Sequence, residues 1–169
     1  MLTCLQMLLE YRTGRYISID RFRKALKHDD AVSNVEFIEL AVQYGLHPLY
    51  CGLKLFCEMR RPAKIELLSD QCKHVFRTAE YFDKPLVALK RLNIFLSMGR
   101  PVIALLDTDE SSAHHSHAVL ILSMNDDSCT VIDPKIGQIV TMSKPDFLAK
   151  WEAYSCDAFV GLQPLKPQS

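Results

Sequence analysis

The stretch from Ser116 to Gly137, SHAVLILSMNDDSCTVIDPKIG, puts a histidine, His117, at the start of one predicted strand and an aspartate, Asp133, at the end of the next. The strands are AVLIL (118–122) and TVID (130–133), joined by the polar turn MNDDS. A hairpin of this shape sets a strand-start residue beside a residue at its partner's end. A histidine oriented by an aspartate is the base half of a nucleophilic triad. On residue type alone, His117 is a polar residue on a strand rim, and Asp133 opens the turn before Pro134. The hairpin geometry is what raises the pair above that reading.

The missing half is a nucleophile. The six cysteines are Cys4, Cys51, Cys57, Cys72, Cys129 and Cys156, with no C-x-x-C pair and no Cys/His spacing of a zinc site. Most are expected to be reduced, small, buried hydrophobes. Cys4 stands apart because it lies at the N-terminal end of the first predicted helix. The helix dipole there lowers a thiol pKa and favours the thiolate. The plainer reading is a packed cysteine on the first turn beside Leu5 and Leu8. His114 and His115 next to His117, with Asp107, Asp109 and Glu110 upstream, are a weak metal signal. A solvated loop at the mouth of the sheet is expected there, without a metal. Nothing in the sequence implies a cofactor.

The elements that must position these groups are set by periodicity and punctuation. Leu5, Leu8, Leu9 and Tyr11 give a first helix an apolar stripe over about 3–12, ended by Gly14. Ser18 caps a second helix over about 19–28, with Phe22, Ala25 and Leu26 inward. Ser33 and Glu36 form a capping box for a third, with Phe37, Leu40, Ala41 and Tyr44 inward and Gly45 past its end. Leu46–Tyr50 reads as a strand, while residues 54–80 fit a helix or a strand and turn equally well. PLVALKRLNIFLSMG (85–99) is an amphipathic helix. Strands come next at about 101–106, 117–123, 128–132 and 138–142, with Lys135, Ile136 and Gly137 in the last hairpin turn. Ser143 and Asp146 cap a helix to about Tyr154, with Phe147, Leu148 and Trp151 inward; the last strand is at about 157–162. Helices first and an antiparallel sheet after them make an α+β order. One domain over 1–163 is expected, with 164–169 as a frayed tail.

Composition narrows the function classes. Twenty basic and twenty acidic side chains cancel, so no overall basic excess points to nucleic acid or an anionic membrane. The start MLTCLQMLLEYRTGRY lacks a positive leader, and no apolar run approaches the roughly 18 residues of a membrane span. A cytoplasmic protein is expected, or one secreted by a route without a cleaved leader. The nucleotide loop G-x-x-x-x-G-K is absent, so any link to a transporter would be in trans.

The chain resembles the bacteriocin-processing cysteine peptidases, the double-glycine leader peptidases of family 39, which have a papain-like fold. CLQMLLEYRTG is similar to that family's helix pattern D-C-G-x-x-C-L-x-M-x-x-x-Y-x-G. YISIDRFRKAL, VSNVEFIELAVQYGL, LKRLNIFLSMGRPVIALLD, SHAVLIL, VIDPKIG and SKPDFLAKWEAY resemble its later elements in the same order, over nearly the full length. The resemblance implies three helices packed on an antiparallel sheet, His117 as general base and Asp133 as the residue orienting it. Cys4 matches the second cysteine of the pattern, which is not the catalytic one. The nucleophile would fall one position before Met1, and the upstream glutamine that donates to the oxyanion is also missing.

This departure has three readings. The chain is truncated, it is a degenerate relative that binds peptides without cutting them, or the register slips and Cys4 is the nucleophile. The slip fits least, since it displaces a helix whose Leu/Met pattern already matches. The retained pair leans toward truncation. The functional expectation is a cysteine-peptidase-like protein acting on peptide substrates, with little or no activity as the chain stands. The alternative is a non-catalytic peptide- or protein-binding domain, such as a secretion-substrate recognition module, and the blandest reading is a scaffold without a functional cleft.

Overall fold

A computed structural model describes residues 1–26, 32–54, 68–107 and 116–164. Four helices and a strand come first or interleave early: α1 (Leu2–Thr13), α2 (Ile19–Leu26), α3 (Asn34–Gln43), β1 (Leu46–Leu53) and α4 (Asp70–Arg77). After them come β2 (Glu80–Phe82), α5 (Pro85–Ser97), β3 (Val102–Asp107), β4 (Ser116–Met124), β5 (Ser128–Asp133), β6 (Gln138–Ser143), α6 (Lys144–Ala153) and β7 (Ala158–Pro164).

The helix ends are set by local chemistry. Gly14 adopts φ 66° and its N–H donates to Glu10 O at 2.8 Å, closing α1 in the left-handed conformation that glycine takes without a Cβ penalty. Ser33 Oγ accepts from the Glu36 N–H while the Ser33 N–H donates to the Glu36 carboxylate at 2.9 Å, the expected capping box. Ser143 accepts from the Asp146 N–H at 3.1 Å and starts α6.

The seven strands form one sheet in the order β2-β1-β7-β3-β4-β5-β6. Every pairing is antiparallel except β1 with β2, which is parallel, so the expected antiparallel sheet is a mixed one. Arg91 on α5 ties the three-residue β2 to the helix, its Nε donating to the Glu80 carboxylate at 2.6 Å.

Central β3 explains the two-sided core. Ile103 and Leu105 join the cluster built by α1, α2, α3 and α4, while Val102, Ala104 and Leu106 join the one built by α5 and α6. A strand covered on both faces needs a continuous apolar run, and VIALL supplies it. Helices therefore pack on both sides of the sheet, not only the N-terminal ones on one. Two expected core residues sit outside it: Tyr11 is 76% exposed, and Ala25 faces solvent. A helix of eight residues, α2, has room for one deep anchor, and Phe22 takes it. The segment that read ambiguously contains α4 and the first residue of β2, with 55–67 outside the described residues. Residues 165–169, most of the expected tail, also lie outside them.

Ser33→Ala should lower stability by about 1 kcal/mol, because it removes the side-chain acceptor of the Glu36 N–H at the helix start. A chemical-denaturation midpoint unchanged by the substitution would show that the cap contributes nothing.

Candidate functional site

Two hairpins bring the polar groups together. β4 pairs with β3 through Leu106↔His117 and with β5 through Leu120↔Ile132. Continued one step, that register sets Val119 against Asp133, so His117 and Asp133 are diagonal neighbours on one face, within side-chain reach. A bulge makes this possible. Near the turn the register is Ser123↔Thr130, and it shifts between Ile121 and Ser123. Without that shift Asp133 would face Leu120 and point to the opposite side of the sheet from His117.

The pair is in contact. His117 Nε2 lies 2.7 Å from Asp133 Oδ1, with both side chains 22% exposed. The same Oδ1 accepts the Lys135 backbone N–H at 2.8 Å, and Gly137, at φ 66°, donates its N–H to Asp133 O at 2.9 Å. Asp133 thus starts the turn before Pro134 and orients His117 at once. Partial burial works against its charge. The Lys135 N–H, His117 and the Ile136 N–H outweigh that and hold the carboxyl below its usual range. A carboxylate on Nε2 makes that nitrogen the proton carrier in neutral imidazole, which puts the ring's lone pair on Nδ1.

Cys4 is near the pair but is engaged elsewhere. It is fully buried on the first turn of α1, and its Sγ donates to Ala118 O at 3.4 Å. Burial pushes the thiol up to about 11, and Asp133 adds to this against the opposing Met1 ammonium. The helix dipole, from which a lowered thiol pKa was expected, acts in the other direction. Removal from water outweighs it at this depth. Burial also pushes Cys129 and Cys156 up to about 12 and raises Cys72, and Cys51 is buried as well. Cys57, His114, His115, Asp109 and Glu110 lie outside the described residues. Asp107 ends β3. Among the described residues no three His, Cys, Asp or Glu side chains are grouped to hold a metal ion. No helix among them is long and apolar enough to cross a membrane.

Several polar groups at this end of the sheet were not foreseen. The Lys135 N–H and the Ala118 carbonyl are backbone groups, which sequence reading does not single out. Asp157, fully buried, accepts from Asn34 Nδ2 at 3.2 Å, and its carbonyl accepts from Trp151 Nε1 at 3.1 Å and Leu105 N at 3.0 Å. It joins the start of α3 to the β7–β3 seam.

The architecture is the α+β class expected for a papain-like domain. A solved structure with this fold is the peptidase domain of Streptococcus ComA, a bifunctional ABC transporter involved in a quorum-sensing pathway. The two share 14% sequence identity with a TM-score of 0.56, over 95% of this chain and 87% of that one. The sequence matches no family model and no curated protein.

The depressed Asp133 pKa has a stability consequence. A carboxyl held lower in the folded state stabilises above its unfolded pKa, about 4, and that contribution is lost as pH falls through the folded value. The urea midpoint of the wild type should therefore drop more steeply below about pH 4 than that of Asp133→Asn. Parallel acid profiles for the two proteins would contradict the carboxylate's role.

Proposed function

We propose that this chain is a cysteine-peptidase-type domain acting on peptide substrates, with His117 as general base and Asp133 as its orienting partner. The observation that carries the reading is the 2.7 Å contact between His117 Nε2 and Asp133 Oδ1 at the start of a hairpin. The shared fold with a transporter's peptidase domain supports it. In such a site Nδ1 of His117 takes the proton of a thiol as the sulfur attacks a peptide carbonyl, then returns it to the leaving amine. Asp133 holds the tautomer and stabilises the imidazolium that forms between those steps.

Cys4 does not fill the nucleophile's role in this proposal. A buried thiol bonded to a backbone carbonyl, with its pKa at about 11, is neither a thiolate nor free to attack. The 169-residue chain as it stands is therefore expected to cut peptides little or not at all through Cys4. The partner is an extended peptide or protein segment, with no nucleic acid. The setting is cytoplasmic, alongside a transporter. A purely binding role is the second reading, and the sequestered Cys4 thiol is what favours it.

The test compares the 169-residue chain with a variant carrying one cysteine joined directly before Met1. Each is incubated with a mixture of unstructured peptides and read by mass spectrometry. The unextended chain should leave the mixture intact, and the variant should cleave it. Adding His117→Ala to the variant should lower cleavage by about 10⁴-fold or more. Cleavage by the unextended chain that persists in His117→Ala would overturn the proposal. So would a cysteine-bearing variant that is folded and inert, which would leave the binding reading.

A further inference from the structure

The β4 strand has a gap in its hydrogen bonding beside the candidate site, and a sequence feature explains it. Leu105 N donates to Asp157 O at 3.0 Å, so the polar backbone groups of Leu105 face β7. In an antiparallel ladder this makes Leu105↔Ala118 a non-hydrogen-bonded pair on the other side. The Ala118 carbonyl must then face β5. Two residues beyond Leu120↔Ile132, the β5 residue opposite Ala118 is Pro134. Proline has no N–H to give.

The carbonyl is on a residue only 3% exposed, where an unmet acceptor is costly. It lies one residue after His117, at the point where β4 must stay beside β5 for His117 to meet Asp133. The donor it finds is the Cys4 thiol at 3.4 Å, reaching up from α1. A cysteine suits the place. It is small enough to be fully buried there among Leu5, Leu8 and the sheet, and its S–H is a neutral donor.

We infer that Cys4 is a positioning residue for the His117–Asp133 pair: its S–H takes the place of the ladder bond that Pro134 cannot make, and fixes the start of β4 against α1. Cys4 acts through Ala118 and touches no reacting atom. This role rests on the proposed base and gives it a means of alignment. It is tested without turnover, so it can fail while the peptidase reading stands, and the reverse.

The experiment follows the His117 Nε2–H proton by NMR, measuring its exchange with water in the wild type, Cys4→Ser and Cys4→Val. Serine keeps a donor and valine fills the space without one. The expected result is exchange about tenfold faster in Cys4→Val and close to wild type in Cys4→Ser, since one net hydrogen bond is lost in the first and retained in the second. Unchanged exchange in Cys4→Val, or equal acceleration in both variants, would overturn the inference. A measurement on the intact protein covers the case in which Cys4→Val does not fold. The Cys4 S–H stretch, isolated as the Raman difference between wild type and Cys4→Ser, should lie at the lowered frequency of a hydrogen-bonded thiol. A band at the free-thiol position would equally overturn it.

Discussion

The register of β4 against β5 is the constraint on which the site depends. Side chains alternate across a sheet, so a slip of one residue sends an entire strand's outward set inward. Here the register changes by one between the turn and the far end of the hairpin, at the bulge between Ile121 and Ser123. Beyond the bulge, Asp133 shares a face with His117. The bulge leaves Leu122 45% exposed, an apolar residue that a regular ladder would have had to place on one face or the other. Once the register is set, the remaining contacts are local: the Asp133 carboxylate is held by Lys135 N–H and meets Nε2 of His117. Pro134 and Gly137 shape the turn that makes this possible, and Pro134 removes the donor that Ala118 would otherwise use.

Much of this was legible where local chemistry decides the outcome. Ser33 and Glu36 announce a helix start because the capping box needs only those two residues and their backbone. His117 and Asp133 could be paired from strand ends because a hairpin with a short turn leaves few alternatives. The helix–strand ambiguity of 54–80 has an equally physical cause. The cap of α4 is Ser69 with Cys72 at the third position, so the reciprocal carboxylate that would have flagged a capping box is absent. The parallel strand β2 is three residues long and held in part by Arg91 from outside the sheet, which leaves no periodic signal. The bulge, the faces of Tyr11 and Ala25, and the half-buried Asn34–Asp157 contact are decided by tertiary packing between segments far apart in sequence.

Cys4 shows how position within a helix can mislead. A first-turn cysteine reads as activated when only the dipole is considered, yet depth decides the sign. Fully buried, the thiol is held in its protonated form and serves as a donor. In the proposed site Cys4 aligns the His strand, and attack falls to the thiol that the resembled pattern places one residue before Met1.

The most direct test of this account is the tautomer of His117, read from its two ring ¹⁵N shifts in the neutral form of the ring. The proposed site requires the single proton of that form on Nε2, shared with Asp133, and Nδ1 unprotonated. A proton on Nδ1, with Nε2 bare against the carboxylate, would mean that Asp133 does not orient His117 for proton transfer, and the central claim would fall.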